Sequence, residues 1–300
     1  MVGAAIARLL RERGYQNILT PTRKTLDLTD RAAVVSYVER ERPQHILMLG
    51  AKVGGIAANA RDPVGFTSDN LNIISTLFDV AHTYETEKNL FLGCSCIYPR
   101  AAAQPMAEEA LLTGPLEATN EGFALAKIVG LRLADYHWRQ NHMLTVCPLP
   151  CSVYGTGDHF DLERSHVLSA LVRRFVDAAD ANLPAVTLWG TGSPMREFLH
   201  VDDLARAILF FMDEVETADH INVGPGVDLS IKDLAEKIAS AVGYGGQIEW
   251  DRSKPDGMPR KLLDSSKLRQ LGFEIQVPIE EGIARTISEY RQLKSTGVIQ

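Results

Sequence analysis

The sequence predicts an α/β fold built on a doubly wound parallel sheet. Short apolar runs alternate with helical patterns through the first half, and such alternation implies parallel strands joined by right-handed crossovers. Apolar residues make up 45% and charged residues 23% of the chain, as in an ordinary globular protein. A length of 300 residues suits two domains or one large α/β domain.

The first half supplies four predicted strands and four predicted helices. The strands are expected at 17–20, 45–50, 89–93 and 144–148. The helices are expected near 3–13, 30–41, 67–84 and 123–141. Asp30 suits a helix start, because it precedes the apolar-periodic run AAVVSYV.

After Tyr154 the chain becomes richer in turn formers and charge. Helices are predicted near 166–181, 201–214, 230–242 and 278–293, with a strand at 220–223 that returns to the sheet. We therefore expect a Rossmann-like domain over 1–155, completed by 201–224, and a smaller α/β substrate-binding region over 156–200 and 225–300.

The start of the chain departs from the usual order of this fold. A doubly wound dinucleotide-binding domain opens with a strand and a Gly-rich turn before its first helix, whereas this chain opens in the helix, with Gly3 as the last glycine of such a turn. We expect a sheet that lacks its first strand, with a gap where the neighbours lose a partner. Either the start is an internal Met with coding sequence upstream, or the chain is a degraded copy.

Charge, hydropathy and cysteine spacing argue against nucleic-acid binding, a membrane span and a zinc or redox site. The net charge of −7 argues against nucleic-acid binding, and no apolar stretch is long enough to cross a membrane. The start MVGAAIARLLRERG has no signal-peptide pattern. Cys94, Cys96, Cys147 and Cys151 match no common zinc or redox spacing. We expect four reduced, buried or partly buried thiols, no metal and a cytoplasmic location.

Several motifs occur in a specific order. They are AKVGGI, LFLGCSCIYP, NEGFALAKIVG, SHVLSALVRRF, WGTGSPMREFLHVDD and KPDGMPRKLLD. Together they resemble the GDP-L-fucose synthases, a family of the extended short-chain dehydrogenases/reductases, over nearly the whole chain. The resemblance implies an NADPH-dependent enzyme that epimerises and reduces GDP-4-keto-6-deoxy-mannose to GDP-L-fucose. It also implies a homodimer formed by helices near 67–84 and 123–141.

The reductase centre departs from the family pattern at two positions. Reduction of a ketone needs a proton donor at the developing alkoxide, and the superfamily uses a Tyr-x-x-x-Lys pair on one helical turn. Here the pair reads Phe123 and Lys127, so the lysine is present and the phenol is not. Cys94 stands where the family has a serine that binds the ketone, and a thiol is a weaker donor. We expect impaired reduction.

Two other tyrosines have hydroxyls that could replace the missing acid, Tyr84 and Tyr98. Tyr84 has the right spacing to Lys88, but two glutamates intervene and the segment reads as a solvated helix end. Tyr98 occupies a position that ordinary family members also hold with tyrosine, so we expect a structural role for it.

The epimerase groups match the family. Inverting the two carbons beside a ketone needs one group to remove a proton and another to return it from the opposite face. The resemblance assigns these roles to Cys96 and His166, and both are present. A neutral imidazole accepts a proton near pH 7, and a thiol of suitable pKa can return one.

The resemblance also places nucleotide-sugar and cofactor contacts. The substrate side is expected to be held by Arg174, Trp189, Arg196 and Asp256. The NADPH side is expected to be held by Gly3, Arg23, Lys127 and His166, with help from Lys24. Arginine suits the pyrophosphate because its guanidinium donates hydrogen bonds in pairs.

Three hypotheses follow for the function. The chain is a GDP-L-fucose synthase-like enzyme with a weakened reductase step, an enzyme that only epimerises, or a non-catalytic, decayed protein that binds GDP-sugars or pairs with an intact homologue.

Overall fold

The computed structural model describes residues 1–161 and 165–298, apart from the side chains of residues 56 and 57. Its helices are α1 (Val2–Glu12), α2 (Arg31–Glu41), α3 (Ile56–Arg61), α4 (Pro63–Thr83), α5 (Glu121–Asn141), α6 (Val167–Asp180), α7 (Val201–Glu214), α8 (Ile231–Val242), α9 (Ser266–Gln270) and α10 (Ile279–Ser295). Its strands are β1 (His45–Met48), β2 (Lys88–Phe91), β3 (Thr145–Pro150), β4 (Ser152–Tyr154), β5 (Ala185–Trp189), β6 (Met195–Arg196), β7 (Phe198–His200), β8 (His220–Val223), β9 (Leu229–Ser230), β10 (Gln247–Asp251) and β11 (Arg260–Lys261). Single 3-10 turns cover Ser95–Ile97 and Glu108–Ala110.

The main sheet is parallel and has the strand order β1-β2-β3-β8. Strand β3 is buried along its whole length, as expected of a strand covered on both faces. Helices α2, α4 and α5 pack together as one layer, and α1 packs on α7 as the other. Both α5 and α7 contact β2 and β3. The predicted α/β class with a parallel sheet is confirmed.

The predicted strand at 17–20 is wrong. These residues form no strand, and a short turn bond from Ile18 N to Gln16 O replaces a ladder. A strand is stable only beside a partner, and within the described residues β1 has β2 on one side and no strand on the other. In the described residues β1 is therefore an edge strand of the sheet, and the expected gap between two strands is not seen.

Helix α4 begins at Pro63, earlier than the predicted residue 67. The Asp62 side chain accepts a 2.9 Å hydrogen bond from the Gly65 amide, and proline suits the first helical turn because its missing N–H is not needed there. Helix α2 has Asp30 as its N-cap, as predicted, with the carboxylate bound to the Ala33 amide.

One glycine sets how closely α5 approaches the sheet. A Cβ atom on Gly130 would lie 2.2 Å from the Phe91 ring of β2, closer than any real contact. The helix axis therefore sits nearer to β2 than a helix with a side chain at this position could. Lys127, one turn earlier, is carried close to the same ring.

A second core lies under the C-terminal half of the chain. Helices α6, α8 and α10 pack together around it, and β5 pairs with β10 in parallel. Its fully buried side chains include Tyr154, Phe175 and Tyr290.

The domain boundaries expected from the sequence stay a prediction. Among the described residues, no helix combines the length and the apolar character needed to span a membrane.

Candidate active site

The turn that follows β2 carries two of the predicted catalytic residues. Cys94 precedes the 3-10 turn Ser95–Ile97 in an extended conformation, and Cys96 lies inside the turn. Both residues are partly buried, and α5 packs against the turn. The turn is thereby held beside the helix that carries Phe123 and Lys127.

Cys94 and Cys96 form a disulfide in this structure. The expectation that all four cysteines are free thiols is therefore wrong for this pair. Their Cα atoms are 5.4 Å apart, within the range that a disulfide spans, because the 3-10 turn Ser95–Ile97 shortens the path between them. Cys147 and Cys151 are free and buried, as expected.

Phe123 and Lys127 lie one turn apart on α5. Lys127 is buried, its Nζ donates a 2.7 Å hydrogen bond to the Leu92 carbonyl, and it lies 4.7 Å from the Phe91 ring centre and 5.8 Å from that of Phe123. Burial lowers the pKa of Lys127 to about 8. Phe123 brings an aromatic ring and no hydroxyl to this point, so a proton donor is missing from the position that the family pattern assigns to it.

His166 is the N-cap residue of α6 and is exposed. Its side chain makes no capping hydrogen bond to the helix, so the imidazole is not used to end α6. The role expected for it in proton transfer stays a prediction.

Arg174 contacts the backbone of β5, and Trp189 is the last residue of that strand. Arg174 Nη1 donates a 3.0 Å hydrogen bond to the Thr187 carbonyl, two residues before Trp189 on the strand. The Trp189 side chain is 67% exposed, and Lys254 Nζ lies 5.6 Å from its ring centre. This leaves a broad, flat aromatic surface with the Lys254 ammonium beside it.

Asp256 lies on a loop near Trp189, and its carboxylate is hydrogen-bonded to Thr191. Its carboxylate accepts hydrogen bonds from the Thr191 amide at 2.9 Å and the Thr191 hydroxyl at 2.7 Å, and these bonds lower its pKa. The carboxylate joins two loops. A contact with the sugar or the guanine stays a prediction.

Arg196 lies opposite Lys261 in the β6–β11 pair. Arg196 Nη1 donates 2.7 Å hydrogen bonds to the carbonyls of Met195 and Met258, and its pKa is lowered by burial. Burial, aided by the charge of Arg196, lowers the pKa of Lys261 to about 8. Within the described residues neither cation forms an ion pair with a carboxylate. Two adjacent, partly desolvated cations favour an anion between them.

Sequence reasoning missed Lys261 and Glu197. Lys261 stands in KPDGMPRKLLD, where only Asp256 was singled out. Glu197 is 1% exposed and accepts hydrogen bonds from the amides of Gly226 and Leu263. Burial raises its pKa to about 7. It fixes the loops that flank Arg196, and its only signal in the sequence is a carboxylate directly before the apolar residues Phe198 and Leu199.

Two of the residues predicted for the cofactor, Gly3 and Arg23, lie in the N-terminal segment, whereas Lys127 lies on α5 and His166 begins α6. Gly3 is in the first turn of α1, whose N-cap is Met1 with no side-chain cap, so main-chain amides of this turn are free to meet an anion. A Cβ at Gly3 would make an ordinary van der Waals contact with the Leu49 side chain, at 3.8 Å. Arg23 is exposed. That these residues hold a cofactor stays a prediction. In the described part of the chain no group of metal-ligating side chains occurs.

Comparison with known proteins gives the class first. A model of the NAD dependent epimerase/dehydratase family matches residues 1–224, and the chain belongs to that family. GDP-L-fucose synthase 1 of Arabidopsis thaliana is 45% identical over 290 residues, covering 97% of this chain and 90% of that protein. GDP-L-fucose synthase of Escherichia coli strain K12 is 46% identical over 295 residues, covering 95% and 92%. These relatives confirm the resemblance to the GDP-L-fucose synthases, which are enzymes.

Two solved structures of GDP-sugar enzymes have folds similar to that of this chain. A GDP-L-fucose synthetase from Naegleria fowleri bound to NADP is similar with a TM-score of 0.90 and 25% identity, over 98% of this chain and 92% of that one. MlghC, a GDP-mannoheptose C4 reductase from Campylobacter jejuni with NADP bound, gives 0.89 and 29%, over 97% and 95%. The expectation that the family uses an NADP cofactor is confirmed.

Proposed function

We propose that this chain is a GDP-L-fucose synthase-like enzyme that binds NADPH and GDP-4-keto-6-deoxy-mannose, epimerises the two carbons beside the ketone, and reduces the ketone slowly. The observation that carries the proposal is the pair of Phe123 and Lys127. The lysine of the reductase centre is buried in place, and the residue one turn before it has no proton to give.

The nucleotide sugar is held by cations and one aromatic surface. Arg196 and Lys261 are adjacent, partly buried and without a carboxylate partner in the described residues, which suits a pyrophosphate. Trp189 offers a flat surface for the base or the sugar, and Arg174 stands on the neighbouring helix α6. Binding in this manner does not need Phe123.

Epimerisation needs two groups on opposite faces of the sugar. His166 removes the proton from a carbon beside the ketone, leaving an enolate, and Cys96 returns a proton to the other face. No electron is transferred to or from the protein in these steps. The exposed position of His166 and its lack of a capping bond leave its imidazole available. Cys96 acts only as the reduced thiol.

The reduction step is the weak one. Bound NADPH supplies the hydride for the ketone carbon. The alkoxide that forms then needs a proton, which Phe123 cannot give, and Cys94 offers only the weak S–H donor of a thiol. Loss of a general acid typically costs about 10²–10⁴-fold in rate. The cofactor would be held by the first turn of α1 at Gly3, by Arg23 and by Lys127, with His166 near its nicotinamide end.

The proposed assembly is a homodimer formed through α4 and α5. Leu125, Val129 and Tyr136 are 44%, 40% and 51% exposed, and their spacing places them on one face of α5. Such an apolar stripe favours a partner helix. Sedimentation of Val129→Glu beside the unchanged protein tests it, with a shift to monomer expected. The cytoplasmic location stays a prediction.

Solvent exchange tests the enzymatic proposal. The reduced protein is incubated with GDP-4-keto-6-deoxy-mannose in deuterated buffer, and mass spectrometry follows uptake of deuterium into the sugar. We expect uptake at the two carbons beside the ketone, with slow oxidation of NADPH. His166→Gln is the control, since it removes the base and keeps a polar side chain.

Exchange no faster than that of His166→Gln refutes the proposal. In that case, binding of the GDP-sugar measured by calorimetry supports a non-catalytic binding protein. Exchange without any NADPH oxidation supports an enzyme that only epimerises.

A further inference from the structure

Two partly buried cysteines face each other across one serine in the turn after β2. Cys94 and Cys96 have Cα atoms 5.4 Å apart, and the backbone holds them in this arrangement from both sides. On one side α5 packs on the turn. On the other, Gly93 is so close to Leu149 that a Cβ there would lie 2.4 Å from its side chain. The two Cα atoms therefore have little freedom to move apart.

The other two cysteines provide a contrast within the same chain. Cys147 is 0% exposed and Cys151 is 9% exposed, and burial raises the pKa of both thiols. A buried thiol of raised pKa is inert, because the thiolate is the reacting form. Cys94 and Cys96 are more accessible and lie at the reaction centre, so a reagent that reaches the substrate can reach them.

We propose that Cys94 and Cys96 are a reversible dithiol–disulfide pair, and that only the dithiol form transfers protons to the substrate. The second half of this inference rests on the proposed function of Cys96. The partner of Cys96 in the pair is Cys94.

The oxidation balances with a low-molecular-weight disulfide as the oxidant. One cysteine thiolate attacks the small disulfide, forming a mixed disulfide and releasing one small thiol. The other cysteine thiolate then attacks the protein sulfur of the mixed disulfide and releases the second small thiol. Two electrons pass from the cysteine pair to the reagent, and the two thiol protons pass to solvent and to the released thiolates. Excess small thiol reverses both steps.

Oxidation removes the chemistry without removing the binding groups. In the disulfide Cys96 has no S–H to return a proton, and Cys94 has none to donate to the ketone oxygen. Arg196 and Lys261 lie on the separate β6–β11 pair, so affinity for the GDP part is unaffected. The oxidised protein should therefore bind nucleotide and fail to exchange.

The test combines thiol mapping with exchange. The full chain is equilibrated in buffers of reduced and oxidised glutathione, quenched with acid and alkylated, and the peptide containing both cysteines is weighed. We expect this peptide to lose two hydrogen atoms in oxidising buffer and to regain them with excess thiol. Deuterium uptake should fall on the order of tenfold or more with the fraction oxidised, while GDP binding stays constant.

Two variants sharpen the result. Cys94→Ala should carry a glutathione adduct on Cys96 in place of the internal disulfide. Ser95→Ala changes the same turn, keeps both cysteines, and should form the internal disulfide as the unchanged protein does. Cys147 and Cys151 should stay unmodified in all samples.

The outcomes separate the two proposals. A peptide that keeps both free thiols in every oxidising buffer, or gains glutathione without the internal disulfide, overturns the pair. Equal exchange by the oxidised and reduced forms overturns the proposed control of proton transfer. Absent exchange in the fully reduced protein refutes the proposed function instead, and the mass of the peptide still decides whether the pair forms.

Discussion

The Lys127 ammonium lies 5.8 Å from the centre of the Phe123 ring, one turn away on the same helix. A cation beside an aromatic face is favourable, and the amine also keeps its 2.7 Å hydrogen bond to Leu92 O. The lysine is thus held in place without the phenol. Its pKa of about 8 reflects burial, so the phenol is not needed to define its position or its charge.

Phe123→Tyr should restore ketone reduction. The substitution adds one hydroxyl to a ring that is already next to Lys127, and a restored general acid is worth about 10²–10⁴-fold in rate. NADPH oxidation in the presence of the keto sugar measures it, with the protein kept reduced. Phe123→Leu is the matched control, since it alters the ring and adds no acid. No gain by the tyrosine variant would place the defect at Cys94 or in cofactor binding.

Lys261→Met should stabilise the protein and weaken nucleotide binding. Burial and the charge of Arg196 hold the folded pKa of Lys261 near 8, below its ordinary 10.5, so the charged lysine opposes folding at neutral pH. This penalty is absent above about pH 10.5, grows as the pH falls from about 10.5 to about 8, and is constant below that. Replacing the amine should raise the melting temperature by a few degrees at neutral pH and weaken GDP binding about tenfold or more.

Lys232→Met is the control for that experiment, because Lys232 is an exposed lysine on α8. It should leave both the melting temperature and GDP binding nearly unchanged. If Lys261→Met binds GDP as tightly as the unchanged protein, the cation is not part of the anion site.

Glu197→Gln should alter how stability depends on pH. The folded pKa of Glu197 is raised by burial from 4.5 to about 7. Its stabilising contribution is full below about pH 4.5 and is lost as the pH rises through about 7, by at most about 3 kcal/mol. The glutamine variant, which cannot accept both amide bonds, should be less stable near pH 5, and the difference should shrink by about pH 8.

Urea unfolding of both proteins across that range measures the change. Glu216→Gln is the control, because Glu216 is an exposed glutamate paired with Lys88. A constant difference between Glu197→Gln and the unchanged protein at all pH values would contradict the raised pKa.

Tyr98→Phe should cost stability and leave chemistry intact. The buried Tyr98 hydroxyl donates a 2.7 Å hydrogen bond to Asn222 Oδ1, and burial raises the pKa of this phenol. Removing the hydroxyl leaves a buried acceptor without its donor, at a cost of about 1–2 kcal/mol. Thermal unfolding and deuterium exchange are measured side by side. A large loss of exchange in the folded variant would make Tyr98 a participant in proton transfer.

The fold was largely predictable because its elements carry local signals. Asp30 caps α2 as the sequence predicted, and strand 220–223 is found with the predicted bounds. The segment 17–20 could not be judged in the same way, since its strand-like pattern is satisfied only by a neighbour in the sheet. Whether a strand forms depends on that partner as well as on the residues themselves.

The site was predictable in parts. Phe123 and Lys127 are one helical turn apart, and that relationship is visible in the sequence. Lys261 was missed because its nearness to Arg196 comes from the pairing of β6 with β11, two strands far apart in the chain. The disulfide of Cys94 and Cys96 was missed because the conformation of the turn, and not the spacing alone, brings the two residues together.

Gly130 sets the distance between α5 and the Phe91 ring of β2. The absence of a single carbon atom allows the helix to rest on the Phe91 ring, and every atom further along α5 is positioned relative to that contact. A methyl group at residue 130 would displace the helix by a fraction of its own diameter, and the tip of Lys127 with it. The position of the reactive Lys127 therefore depends on Gly130, in the middle of the helix. Although Gly130 has no side chain to react, we expect few residue types to be accepted at this position.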